Sequence, residues 1–265
     1  MAYTESLLLP SRGIIYNVPN FDGYVNVKPF TTKNYKDLLT ANASESGLKQ
    51  FIEACLVDCP IKAKDMNQND LLAILFKIRS ITLGNKLKTQ VKCPECKAIE
   101  DIEWDLDDIE INYLFVDEYP IKVALPTSGE EIKVKFVTGK DSTAAKQAAE
   151  KRATMFKKQI SEYLPLYETV SRIEVNGKDI VERAEWYESL HPSDAIYIDE
   201  VFSEMVDTFG VKMTREEQCS KCDKVYETYI DIGSDFFRPY SVKPLGISRK
   251  AGNLAGVVEK PNISE

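Results

Sequence analysis

The stretch KTQVKCPECKAIEDIEWDL, Lys88 to Leu106, holds two cysteines, Cys93 and Cys96, with two residues between them. A CxxC unit at the tip of a hairpin turns both thiolates to one side and supplies half the ligands of a tetrahedral zinc ion. The other half stands far downstream, at Cys219 and Cys222 in REEQCSKCDKVYETYIDI, Arg215 to Ile232. Beyond the first pair, Ile102, Trp104 and Leu106 alternate with Glu103, Asp105 and Asp107. Beyond the second, Thr228, Ile230 and Ile232 alternate with Glu227, Tyr229 and Asp231. A period of two predicts half-buried strands. Leu87, Thr89 and Val91 lead into Cys93, and Met213 leads toward Cys219, so each pair is expected at the tip of a β-hairpin. A lone CxxC would leave a redox pair or two buried thiols open. Two of them in matching settings argue for one structural zinc ion held by Cys93, Cys96, Cys219 and Cys222. Four thiolates fill the coordination shell and leave no place for an activated water. Lys92, Lys97, Lys221 and Lys224 flank the pairs and would soften the charge.

The likeness of the two segments extends beyond the cysteines. Gly84 precedes Cys93 by the same nine positions that separate Gly210 from Cys219, and Asp105 and Asp231 each follow twelve positions later. A helical pattern precedes each glycine: Leu71, Leu72, Leu75 and Ile78 in one, Ile198, Val201, Phe202, Met205 and Val206 in the other. Asn69-Asp70 and Ser193-Asp194 read as the helix starts, and the glycines as left-handed C-terminal caps. Val25–Tyr35 aligns without gaps against Ile132–Ser142, and LPSRG (Leu9–Gly13) echoes LPTSG (Leu125–Gly129). The expected fold is therefore α+β, with two tandem copies of a strand–helix–β-hairpin unit joined by a shared split zinc ribbon. The expected divisions are 1–120, a first repeat with the LPSRG segment and first knuckle; 121–233, a second repeat with a long helical insertion and second knuckle; and 234–265, an extended C-terminal tail. Each copy carries half a ligand set, so metal binding would be coupled to folding.

Between these landmarks the signals are local. Asp141 is the candidate N-cap of a long helix whose apolar stripe is Ala145, Ala148, Ala149, Phe156, Ile160 and Tyr163, with Pro165 ending or kinking it. Ile173–Glu182 reads as a small hairpin around Asn176-Gly177. Cys55 and Cys59, four apart on a helical pattern, read as small core residues on one helix face. His191, the single histidine, reads as a turn residue before Pro192. Phe236, Phe237 and Tyr240 are expected to clip the start of the tail onto the core.

The 265 residues are 43% apolar and 10% aromatic, ordinary globular composition. No apolar run reaches the eighteen residues of a membrane span, and the first residues lack the pattern of a secretory signal. The expected compartment is a reducing cytoplasm, where cysteines ligate metals more often than they pair. A net charge of −8, with no basic stripe, argues against nucleic acid as a partner. No phosphate-binding glycine loop, nucleophile elbow, metalloprotease or dinucleotide motif is present. The expectation is a protein without enzymatic activity and without a small-molecule substrate.

Leu9, Pro10, Ser11, Arg12, Gly13 and Tyr16, taken with Arg79, Gly84, Cys93 and Cys96, make the chain similar to a known family. It resembles the baseplate hub assembly proteins of T-even-like contractile-tailed bacteriophages. The resemblance implies an assembly factor or minor hub component, working by contact with phage baseplate hub or tail proteins. It implies a place in the host cytoplasm and the tail baseplate of the virion. It makes Leu9, Pro10, Ser11, Arg12 and Gly13 candidate partner contacts; Phe236, Phe237, Arg238 and Tyr240, where the tail starts, are a second candidate set. The alternative left open is a zinc-ribbon adaptor or regulator of a transcription or replication complex, which would bind polymerase or nucleic acid.

Overall fold

The chain opens on an antiparallel pair, β1 (Glu5–Leu8) and β2 (Tyr24–Val27), with Glu5 opposite Val27. The computed structural model describes residues 3–41, 44–206, 208–233 and 236–237. Two helices follow, α1 (Thr32–Thr40) and α2 (Glu45–Cys55), and then β3 (Leu56–Val57) returns beside β2 with Leu56 opposite Val27. Next comes α3 (Gln68–Leu83), buried along most of its length because apolar residues occupy almost every inward position. A hairpin of β4 (Lys86–Lys92) and β5 (Ile99–Asp105) completes this unit.

After the short β6 (Ile111–Asn112) the same order begins again. β7 (Ile121–Ala124) pairs with β8 (Glu131–Val134), Ile121 opposite Val134. The helices α4 (Gly139–Phe156) and α5 (Leu164–Ser171) follow. Then β9 (Ile173–Glu174) returns beside β8 with Ile173 opposite Val134. An added helix, α6 (Ile180–Glu188), precedes α7 (Pro192–Val206). The short β10 (Gly210–Val211) then pairs with β6 of the first half, and the hairpin of β11 (Thr214–Gln218) and β12 (Val225–Tyr229) closes the series.

The correspondence holds residue by residue. Thr31 caps α1 in a capping box with Asn34, and Thr138 caps α4 in one with Asp141; these are the positions that the gapless alignment equates. Asp70 and Asp194 are each the third residue of their helix, and neither is exposed to solvent. Each carboxylate accepts hydrogen bonds from the Leu-Pro turn of its own half. Asp70 takes Ser11 N (2.9 Å) and Ser11 Oγ (2.6 Å), and Asp194 takes Thr127 N (2.8 Å) and Ser128 N (3.1 Å).

The main core lies in the first half, where Val25, Val27, Phe51, Ile52, Ile74, Ile78, Leu87 and Trp104 are buried together. Each such side chain contributes about 1.5–3 kcal/mol on burial. Ile230 from the end of the second hairpin joins it, as do Phe236 and Phe237. The second half has two smaller clusters. Leu125, Ile132, Val134, Ile173, Ile198 and Phe202 lie between its sheet and α7, and Ala145, Ala148, Ala149, Tyr167, Val170 and Ala184 lie among α4, α5 and α6.

Several local expectations need correction. Asp141 is not the N-cap of the long helix but its third residue, since Thr138 has the extended backbone a cap needs. That helix ends at Lys157 in the left-handed region, well before Pro165, which sits in the first turn of α5 where its missing N–H costs nothing. Of the stripe residues, the three alanines are buried but Phe156 is exposed. Ile173–Glu182 is not a hairpin. A turn at Gly177 (φ 74°) follows β9, and Asp179 then caps α6 in a capping box with Glu182. Helix chemistry immediately after the Asn-Gly turn outweighs the turn's hairpin preference. Cys55 ends α2, so Cys59 lies beyond the helix and shares no face with it, although it packs on the same core. Gly210 starts a strand instead of capping α7. His191 is a turn residue as read; its Nδ1 accepts from Ser193 N (3.2 Å) at the entry to α7.

Candidate metal centre

Each CxxC sits where a two-stranded ladder ends. Lys92 opposite Ile99 is the last pair of the first hairpin, and Gln218 opposite Val225 the last pair of the second. The turns that follow are built alike. Cys93 N donates to Ala98 O (2.8 Å) and Cys219 N to Lys224 O (3.0 Å). Lys97 N donates to Cys93 O and Asp223 N to Cys219 O, both at 3.1 Å. Lys97 (φ 62°) and Asp223 (φ 56°) take the left-handed conformation that lets the chain double back under the sulfurs.

The two tips meet. One sulfur from each of Cys93, Cys96, Cys219 and Cys222 lies within 4.8 Å of the others, and this is the one such group of potential ligands among the described residues. Two close approaches cross from one hairpin to the other, Cys93 Sγ to Cys222 Sγ at 3.7 Å and Cys96 Sγ to Cys219 Sγ at 3.6 Å. Four sulfurs about 2.3 Å from a central zinc ion lie about 3.8 Å apart along the edges of the tetrahedron. The spacing fits that geometry and is far too long for disulfides; all four cysteines are free.

The electrostatics favour a cation at the centre. Burial opposes the charged form at Cys93, but the N–H groups of Cys96 and Glu95 and the neighbouring thiols outweigh it and hold the group at about 7. At Cys219 the Lys221 N–H favours the thiolate, yet burial and the thiols of Cys96 and Cys222 push the group up to about 12. Four sulfurs this close cannot all ionise unless a positive charge replaces the shared protons. Cys93 and Cys219 are fully buried, Cys222 is half-buried and Cys96 is exposed. Tyr226, Val91 and Ala98 pack around the cluster, and Glu100 reaches from the first hairpin to Ser220 Oγ at 2.9 Å.

The hairpins also clasp away from the sulfurs, which the sequence reading did not foresee. The Arg215 guanidinium lies 4.1 Å from the centre of the Trp104 ring and donates to Glu103 O at 2.8 Å. Asn67 Nδ2 donates to Val137 O and Asn69 Nδ2 to Phe209 O, both at 2.7 Å. Gly139 N bonds Met66 O, and a Cβ at Gly139 would stand 1.8 Å from Lys64 O, so only glycine fits that joint.

The structure places the other predicted site residues on turns and on the core. Leu9, Pro10, Ser11 and Gly13 are buried by their own chain, so their side chains present no free surface. Pro10 O accepts from Leu114 N at 2.8 Å, and Gly13 takes φ 73° with the Phe21 ring where a Cβ would go. The motif is an internal turn locked by Asp70; Arg12 alone projects outward, over the exposed Phe115 ring. Phe236 and Phe237 are likewise buried and pack edge-to-face on each other, with Phe237 also on Phe51. They clip the chain onto the core as expected. Arg238 and Tyr240 lie outside the described residues. Sequence reasoning missed the pairing of Asp70 and Asp194 with the Leu-Pro turns, although the repetition of turn and acid in both halves was the signal that could have revealed it.

Among the described residues no helix is long and apolar enough to cross a membrane. Comparison with curated proteins and with solved structures gives no match. A family described as "T4 bacteriophage base plate protein" matches residues 11–238.

Proposed function

The chain belongs to the T4 bacteriophage base plate protein family, and from that premise we propose that it is a non-enzymatic component or assembly factor of the baseplate hub. It works by protein–protein contact and is braced by a structural zinc ion on Cys93, Cys96, Cys219 and Cys222. The observation that carries this reading is the meeting of two distant CxxC tips in one four-sulfur cluster. Such a site binds a thiophilic ion firmly and has no vacancy for substrate or activated water. Its energetic role is to tie one hairpin to the other.

The two halves, 1–120 and 121–233, descend from one duplicated unit. The shared strand registers, matching capping boxes and matching buried aspartates support that descent. The protein meets hub or tail proteins in the host cytoplasm and accompanies them into the tail.

The test is twofold. Purified protein is expected to hold about one zinc per chain, and deletion of the gene to arrest tail assembly before the hub is complete. Normal tail yield without the protein would refute the assembly role, and a metal-free preparation with an unchanged melting curve would refute the zinc brace.

A further inference from the structure

Between the two halves lies a cleft of about 720 Å³, walled by α2 and α3 on one side and by α4, α5 and α7 on the other. Its apolar wall includes Ile52, Leu72, Leu75, Phe202 and Met205. Three cations line it, and two have anionic partners: Lys49 with Glu45 at 2.6 Å and Lys135 with Asp141 at 2.7 Å. The third, Arg172, has none among the described residues. Its guanidinium lies over the Phe202 ring at 5.3 Å, and its Nε is buried with no hydrogen-bond partner. Glu168, one helical turn away and exposed, forms no ion pair with it among the described residues.

A partly desolvated guanidinium over an aromatic ring beside an apolar wall is costly unless something supplies a carboxylate. We propose that this cleft is the docking site for an amphipathic segment of another baseplate protein, one that places a single Asp or Glu on Arg172 and large apolar side chains against α3 and α7. The proposal rests on the baseplate reading above and adds the surface and the chemistry of the partner. Charge complementarity selects the occupant: the unpaired charge set against the apolar wall is the Arg172 cation, over Phe202, whereas Glu168 is exposed. Apolar anchors in a groove with one fixed ion pair are a usual form of helix recognition.

The test is photo-crosslinking in infected cells with the full chain. A benzoylphenylalanine replaces Met205 in the cleft, and in a control chain it replaces the exposed Val181. The expected result is a cleft-specific adduct to one baseplate protein, mapped by mass spectrometry to a peptide with one acid among large apolar residues. Arg172→Glu is expected to reduce the adduct at least tenfold while the melting curve stays within a few degrees of wild type. Replacement of the partner's acid by Lys restores it. Leu72→Asp, on the opposite wall, is the second variant and is also expected to abolish the adduct.

Adduct to a second copy of this chain, to a non-baseplate protein, or equally from both positions overturns the proposal. So does an adduct that survives both Arg172→Glu and Leu72→Asp. Tail yield measured in parallel separates the two readings. Dependence of tails on the protein without a cleft adduct sinks only the docking site, whereas tails that form without the protein sink the assembly role as well.

Discussion

The two halves of this chain share a plan and differ in what they lean on. The first half surrounds the large core, and its equivalent of Gly139 is Thr32, an exposed residue at the start of α1. In the second half that position is pressed against the Lys64 backbone, and only glycine fits. The buried aspartates differ in the same sense. Asp70 accepts hydroxyl bonds from Ser11 and Tyr16 as well as one backbone N–H, and burial pushes its carboxyl up from the usual value. At Asp194 burial also opposes the charge, but the N–H groups of Thr127 and Ser128 outweigh it and hold the group down. Equivalent anchors thus keep the same place in the two halves with different electrostatics. The halves agree in the geometry of their anchors and differ where one presses on the other.

The proposed zinc brace carries the largest expected effect and is the one place where the halves are expected to behave identically. Cys93→Ser and Cys219→Ser are expected to lose zinc to the same extent and to lose more than about 3 kcal/mol of stability each. Metal analysis and thermal melts check this. A large loss from one hairpin and none from the other would mean that the halves do not share the ion.

The Gly139 joint comes next. Gly139→Ala is expected to cost about 2–4 kcal/mol through backbone displacement, while Thr32→Ala at the equivalent position stays within about 0.5 kcal/mol. Denaturant titration of both variants measures the contrast, and equal effects would remove the asymmetry. A smaller change is expected on breaking the clasp between hairpins. Arg215→Ala removes a ring contact and a backbone hydrogen bond and should cost about 1–2 kcal/mol with zinc content unchanged.

The smallest effect is the most specific. A lowered carboxyl such as Asp194 contributes stability above the unfolded value near 4, and this is lost as pH falls through the folded value. A raised one such as Asp70 contributes most below that value, and its contribution is lost as pH rises through the folded pKa. The stability gap between wild type and Asp194→Asn is therefore expected to shrink on acidification, whereas the gap to Asp70→Asn widens. Melts of the three proteins from pH 7 to pH 3, compared at equal pH, decide the matter. Gaps that move in the same direction would show that the two anchors do not differ electrostatically.

Features that repeat in the sequence were the most legible. The cysteine pairs, the strands that carry them and the alignment of Val25–Tyr35 on Ile132–Ser142 were readable because alternation and spacing are local, and each occurs twice in the chain. Contacts that form between the halves were not readable. Nothing near Arg215 announces Trp104, and nothing near Gly139 announces Lys64, because a close approach across the fold leaves no period in either segment. The internal bonds of the Leu-Pro turn were not readable for a related reason. The resemblance made it a candidate contact, and in the fold three of its side chains and its glycine are buried in the turn itself and beside Asp70. Helix caps were misplaced by a few residues because Thr138 and Asp141 are both good capping residues and only the backbone decides between them.

The central claim is that both hairpins clasp one ion. Zinc-edge X-ray absorption on the purified protein tests it directly. The account predicts one shell of four sulfur ligands at about 2.3 Å with one zinc per chain, falling to three sulfurs or to no bound zinc in Cys219→Ser. A shell of two sulfurs completed by nitrogen or oxygen, unchanged by Cys219→Ser, would contradict it.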